Sequence, residues 1–126
     1  MKLTNAKIMA LTTAFTEAFS DDKRYLPAKI NFYIQKNMQI LTASVESITL
    51  NRNAIIEHYG VIDEETGCYN FSDENQMLAN KELADLAGLE QDVTISMIPL
   101  SHFDGLEFTT KQMQALMFMI KDEVEE

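Results

Sequence analysis

The residues best suited to binding chemistry lie in one segment, Arg24 to Asn37, where cations and aromatic residues are interleaved. This segment falls at the predicted start of a long helix, where free backbone N–H groups and the helix dipole favour anions. Aromatic rings between cations also suit a stacked base or a nucleotide. The candidate ligand-binding residues are Arg24, Tyr25, Lys29, Tyr33, Lys36 and Asn37.

Helical spacing supports this grouping. Lys29, Tyr33 and either Lys36 or Asn37 follow at steps of four, three and four residues, which places them on one helix face. The alternative interpretation is that the aromatic rings pack into the core while the lysines solvate its edge, as aromatic stripes at helical spacing usually do.

Catalytic and metal-binding patterns are missing from the sequence. His58 and His102 are not in a ligand-spaced pair, and Asp63-Glu64-Glu65 lacks the alternating oxygen ligands of a calcium loop. Cys68 has no neighbouring histidine and is predicted to be a small buried thiol. We therefore predict no catalytic residue, no metal and no cofactor, and a protein that is not an enzyme. A hydrolase using carboxylates and a metal is the least supported alternative.

The net charge of −10 is unevenly distributed. Residues 1–60 carry a net +2 and residues 61–126 a net −12. This split argues against a nucleic-acid partner that uses the whole surface, since phosphate neutralisation needs clustered cations. The acidic half is either a solvated surface or an interface.

Length and composition predict a single domain over residues 1–126 with an ordinary apolar fraction of 46%. A single cysteine fits a reducing compartment. The longest apolar run, Ala115–Ile120, is too short to span a bilayer, and Lys7 interrupts any leader-like segment. We expect a cytoplasmic protein with no membrane partner.

The element that must position the candidate site is a long helix from Pro27 to Tyr59. No glycine or further proline interrupts it, and its 33 residues would span about 50 Å. Apolar or large residues recur along it at steps of four and three and form a seam: Ile34, Met38, Leu41, Val45, Ile48, Ile55 and Tyr59. Arg52 is the one polar exception in this seam. Gly60 is predicted to end the helix in the left-handed conformation.

Three shorter helices and one or two short strands complete the predicted fold. The helices are expected from Thr4 or Asn5 to about Ser20, from Ser72 or Asp73 to about Ala87, and from Thr109 or Thr110 to about Glu123. Thr109 and Gln112 match a capping box. Gln91–Leu100 alternates like a strand, and Val61–Phe71 is predicted to be a hairpin or an ordered loop. The fold class is mainly α with a small β element (α+β).

Three features predict a homo-oligomer. The long seam needs a covering surface, and the strand must pair either with the Val61–Phe71 segment or with its own copy across a dimer axis. The last helix is apolar on more than one side, so it is either the central buried helix or part of a subunit interface.

Three stretches of the chain resemble a family of small bacteriophage and prophage proteins of Gram-positive hosts, known mainly as a domain of unknown function. They are LPAKINFYIQKN (Leu26–Asn37), HYG (His58–Gly60) and EFTTKQMQALMFMI (Glu107–Ile120). The resemblance extends over nearly the whole chain. It implies a phage origin and action inside a bacterial cell or within a virion, and it supplies no established active site.

The function expected from these observations is non-catalytic binding in host interaction or counter-defence. The protein would sequester a small anionic or nucleotide ligand at Arg24–Asn37, or block a host protein with its acidic half. The alternative is a virion or tail-assembly accessory or structural protein. Its expected location is the cytoplasm of the bacterial host, or the phage particle.

Overall fold

The computed structural model describes residues 1–121, which form a mainly helical fold with small β elements, as the sequence predicts. The α-helices are α1 (Asn5–Phe19), α2 (Ala28–Tyr59), α3 (Asp73–Gly88) and α4 (Thr110–Leu116). The strands are β1 (Lys2–Thr4), β2 (Val61–Ile62), β3 (Tyr69–Asn70), β4 (Glu90–Asp92), β5 (Ile98–Pro99) and β6 (Ile120–Lys121). Within this range, no helix is both long and apolar enough to cross a membrane.

Side-chain caps begin three of the helices at the predicted residues. The hydroxyl groups of Thr4, Ser72 and Thr109 each accept a hydrogen bond from the backbone N–H three residues on, which satisfies a donor that has no partner inside the helix. Thr109 and Gln112 form the full capping box, since the Gln112 side chain also accepts from the Thr109 backbone N–H.

The long helix α2 is covered within the chain. Its 32 residues are about 48 Å long, and both α1 and α3 pack against it. Ile30, Ile34, Leu41 and Ile48 are its buried apolar residues, and their spacing of three or four residues or multiples defines one inward face. The covering surface that the seam needs is therefore supplied by α1 and α3 of the same chain.

Two apolar clusters make up the core. One contains Ile30, Ile34, Ile98, Phe103, Leu116 and Met119, and the other contains Ile8, Leu41, Ile48 and Val93. Met38, Ile95 and Phe118 pack against both clusters, so the core is continuous along α2.

The predicted strand over Gln91–Leu100 is wrong in its extent and its partners. It is divided into β4 and β5, with residues 93–97 in irregular structure between them. β4 pairs antiparallel with β1, and β5 pairs parallel with β6. Neither the Val61–Phe71 segment nor a second copy is needed, because the two ends of the chain supply the missing strands.

The last helix is shorter than predicted. α4 ends at Leu116, a 3₁₀ turn covers Met117–Met119, and β6 follows. The predicted end at Glu123 lies outside the described residues. Leu116 and Met119 are fully buried in the core, as the central-helix alternative predicts, whereas Met117, which is also apolar, is 63% exposed.

Of the two alternatives predicted after α2, a hairpin or an ordered loop, the structure has the hairpin, with β2 and β3 antiparallel, but two details differ from prediction. Gly60 is extended at φ −98° rather than left-handed. Glycine is required there for space, since a Cβ would lie 2.9 Å from the Ile56 carbonyl oxygen and 3.0 Å from the Phe71 ring. Cys68 is exposed in the hairpin loop, not buried.

Candidate functional site

The predicted ligand-binding segment, Arg24 to Asn37, includes the start of α2, where Pro27 is the N-cap residue. The Pro27 carbonyl oxygen accepts hydrogen bonds from the N–H groups of Ile30 (3.0 Å) and Asn31 (2.9 Å). Ile30, Ile34 and Asn37 are then buried at steps of four and three, whereas Lys29 and Lys36 are exposed. The rotation of the helix therefore divides the predicted site between an inward face and an outward face.

Asn37 occupies the inward face and is fully buried. Its Nδ2 donates to the Ser96 carbonyl oxygen at 2.9 Å, and its Oδ1 accepts from the Ser96 N–H at 2.8 Å. Nδ2 also lies 3.5 Å from the Met119 sulfur. These contacts use both ends of the amide and hold the irregular stretch between β4 and β5 against α2. The side chain of Asn37 is committed to the fold and is not open to a ligand.

Tyr33 is half-buried at the edge of the core. Its ring packs edge-to-face with Phe32, with centroids 5.7 Å apart, and its centroid lies 6.4 Å from that of His102. Tyr33 therefore fits the alternative interpretation of the sequence, in which the aromatic rings pack into the core.

Arg24 lies in the loop before α2 and is held by several groups. Its Nε donates to Asp22 Oδ2 at 3.1 Å, one Nη donates to Gln112 Oε1 at 3.4 Å, and the other Nη donates to the Glu107 carbonyl oxygen. The guanidinium also lies over the Phe108 ring, 4.6 Å from its centroid. The charge of Arg24 is compensated by Asp22, so this cation fastens the loop to α4 rather than offering a free anion site.

Asp22 is tuned by the same contacts. A hydrogen bond from the Arg24 backbone N–H lowers the pKa of the Asp22 carboxyl, partial desolvation opposes this, and the Arg24 charge and the Gln112 amide lower it further. The lowered pKa keeps the carboxylate ionised, and paired with Arg24, to a lower pH than an ordinary aspartate.

The outward face retains the other predicted residues. Tyr25 is 85% exposed, Lys29 and Lys36 are exposed, and Phe32 between the two lysines is 62% exposed. Among residues 1–121, no hydrogen bond or ion pair engages either lysine. We call Tyr25, Lys29, Phe32 and Lys36 the head surface. Lys29, Phe32 and Lys36 lie on the outward side of α2, with the two lysines about 10 Å apart along the helix axis, and Tyr25 lies in the loop before α2.

A groove of about 360 Å³ lies beside the head surface, between the end of α1 and the first turns of α2. Only Arg24 and Tyr25 of the six predicted residues line it. Its full lining is Phe15, Phe19, Asp22, Arg24, Tyr25, Leu26, Asn31, Ile34 and Gln35. The structure therefore does not gather the six residues into one concave site.

Two important residues were missed by the sequence reading. Phe32 could have been found, because it is out of phase with the apolar residues Ile30 and Ile34 and must therefore face outward. Gln112 was assigned only to the capping box, yet its Nε2 also donates to the Ala18 carbonyl oxygen (3.3 Å) and to Asp22 (3.0 Å). Those partners are 94 and 90 residues away in the sequence, so no local pattern could reveal them.

Comparison with protein-family models, with curated proteins and with solved structures finds no match to this chain. The resemblance to phage proteins therefore stays a prediction. Within residues 1–121, no group of three or more His, Cys, Asp or Glu side chains is placed to share a metal ion.

Proposed function

We propose that this chain is a non-catalytic, phage-encoded binding protein that acts in host interaction or counter-defence by docking its head surface on an acidic protein. The observation that supports this proposal is the exposure of two large aromatic side chains, Tyr25 before α2 and Phe32 on it, in a segment whose two lysines have no described partner. Exposed aromatic rings are enriched at protein interfaces, where their burial supplies much of the binding free energy. Flanking cations then select an acidic partner.

The shape of the head surface favours a protein over a small anionic or nucleotide ligand. Small-molecule sites are concave and enclose most of the ligand, whereas Lys29, Phe32 and Lys36 project from a convex helix face. In the adjacent groove, the cation Arg24 is already paired with Asp22 at 3.1 Å. The groove therefore has little net positive charge with which to hold an anion.

A second copy of the chain is one acidic partner that fits this description, since residues 61–126 carry a net −12. The features that first predicted a homo-oligomer are used within the chain, because α2 is covered by α1 and α3, β4 and β5 are paired, and α4 is in the core. The oligomer proposal now depends on the head surface, and the experiment below separates self-association from binding to a host protein.

The test is photo-cross-linking in growing cells of a Gram-positive bacterium. Benzoylphenylalanine replaces Phe32 in one variant and Leu50 in a matched control. Leu50 is 72% exposed and lies 18 residues, or about five helical turns, farther along the same face of α2. We expect position 32 to give one dominant cross-linked protein that position 50 does not give.

The charge dependence of this adduct completes the test. Lys29→Glu with Lys36→Glu should remove the adduct, whereas Lys81→Glu with Lys111→Glu, which changes two exposed lysines elsewhere, should keep it. An adduct with twice the mass of the chain identifies a homo-oligomer, and one with a host protein identifies host interaction. The same adducts from positions 32 and 50, or no adduct from position 32, would contradict the proposal.

A further inference from the structure

A second concave feature lies on a different part of the molecule, between α1, α2 and α3. It is a cleft of about 230 Å³, and we call it the Arg52 cleft. Its lining is almost wholly apolar and includes Met9, Ile48, Leu83 and Leu86. Ile48 is only 6% exposed, so the cleft reaches the core, whereas Arg52, one helical turn farther along α2, is exposed at its rim.

The two polar residues that line the cleft, Asn5 and Arg52, differ in whether they have hydrogen-bond partners. Asn5 is 4% exposed and is satisfied by the fold, because its Nδ2 donates to the Leu86 carbonyl oxygen at 2.8 Å and its Oδ1 accepts from Gln91 Nε2 at 2.7 Å. Arg52 has no hydrogen bond, ion pair or aromatic contact among residues 1–121. The guanidinium of Arg52 is therefore the polar group of the cleft that is available to a ligand.

Arg52 is also the residue that breaks the apolar seam of α2. It falls on the same helical line as Ile34, Leu41 and Ile48, where packing alone would select an apolar residue. A guanidinium beside an apolar wall pairs best with a carboxylate, because its planar donors form two parallel hydrogen bonds with the two carboxylate oxygens.

We propose that the Arg52 cleft binds a small monocarboxylate with an apolar body. The body would displace water from the walls formed by Met9, Leu83 and Leu86, and the carboxylate would pair with Arg52. A dry apolar cavity of about 150 Å³ is known to hold benzene, so a cleft of this larger volume should take a ligand of about nine non-hydrogen atoms. Benzoate and heptanoate have this size. The head surface takes no part in this site.

The test is a titration of the full-length protein with benzoate, followed by methyl NMR. We expect saturable shifts of the Met9, Ile48, Leu83 and Leu86 methyl resonances. Benzyl alcohol has the same ring without the charge and should bind at least tenfold more weakly. Acetate has the charge without the ring and should leave these resonances unmoved.

Two variants complete the experiment. Arg52→Gln should weaken benzoate binding at least tenfold and leave benzyl alcohol binding unchanged, whereas Lys111→Gln removes an exposed cation on α4 and should leave both unchanged. Ala87→Leu, which fills the cleft, should abolish both. Benzoate affinity in Arg52→Gln within twofold of the wild-type value overturns the proposal, as does equal binding of acetate and benzoate. So does an absence of shifts at the four methyl-bearing residues.

Discussion

The inward and outward faces of the first turns of α2 differ in burial and in hydrogen bonding, although their residues are neighbours in the sequence. On the inward face, Asn37 is fully buried, and both ends of its amide are hydrogen-bonded to Ser96. On the outward face, Lys36 and Phe32 are exposed, and Lys36 has no partner among the described residues. One face holds the fold together, and the other is open to a partner.

This difference shows why a cluster of polar and aromatic residues in the sequence is not a cluster in space. A helix turns by about 100° per residue, so Lys36 and Asn37 point to different environments although they are adjacent. Residue type and helical spacing together suggested one site, with Lys29, Tyr33 and either Lys36 or Asn37 on one helix face. The structure instead buries Asn37 and leaves Lys29, Phe32 and Lys36 at the surface.

The largest expected effect follows from breaking the inward face at Asn37. Asn37→Ala leaves the N–H and the carbonyl oxygen of Ser96 without their partners in a partly buried position, which should lower the free energy of unfolding by about 3 kcal/mol. Chemical denaturation measures it. Asn51→Ala, on an exposed position of the same helix, is the control and should change stability by less than about 0.5 kcal/mol. Equal losses in the two variants would show that Asn37 is not a structural residue.

Gln112 is a second buried polar residue, on α4, and its removal should have the next largest effect. Gln112→Ala removes the capping box and the contacts to Ala18, Asp22 and Arg24, which should cost about 2 kcal/mol. Gln114→Ala, exposed on the same short helix, should be nearly neutral by the same denaturation assay. A neutral Gln112→Ala variant would mean that the Arg24 loop is held by other contacts.

Neighbouring aromatic residues provide the most direct comparison of the two faces. Tyr33→Ala removes a half-buried ring that packs on the core and should cost about 1.5 kcal/mol, whereas Phe32→Ala should change stability by less than about 0.5 kcal/mol. Thermal unfolding of the two variants under identical conditions measures the difference. A larger loss in Phe32→Ala would place Phe32 in the core and remove it from the head surface.

The smallest expected effect is a pH dependence of stability that arises from Asp22, in the loop before α2. The pKa of Asp22 is lowered in the folded protein, so the ionised carboxylate contributes stability above the unfolded-state value of about 3.9, and this contribution is lost as the pH falls through the folded-state pKa. The difference in Tm between wild type and Asp22→Asn should therefore be widest near neutral pH and should shrink in acid. Asp21→Asn, an exposed neighbour, should follow the wild-type profile, and a constant difference for Asp22→Asn would contradict this account.

The candidate site was only partly predictable. The sequence shows which residues are polar or aromatic, but it does not show which of them are buried or which distant residues they contact. The exposed positions of Tyr25, Lys29 and Lys36 agree with a surface role, and the phase of Phe32 was readable. The pairing of Arg24 with Asp22 is local, but its contact with Gln112 joins residues 88 positions apart. The hydrogen bond from Asn37 to Ser96 joins residues 59 positions apart.

The sequence by itself determined where the helices begin, because capping residues and apolar periodicity act within a few neighbouring residues. It correctly predicted the starts of α1, α3 and α4 and the length of α2, and the hairpin after α2 is one of the two alternatives that it offered there. Only the tertiary structure decided which strands pair, since β1 meets β4 and β5 meets β6 across long sequence separations. It also decided which polar residues are used internally. Burial depends on the elements that pack opposite a residue, and so Asn37 and Lys36, adjacent in the chain, have different roles.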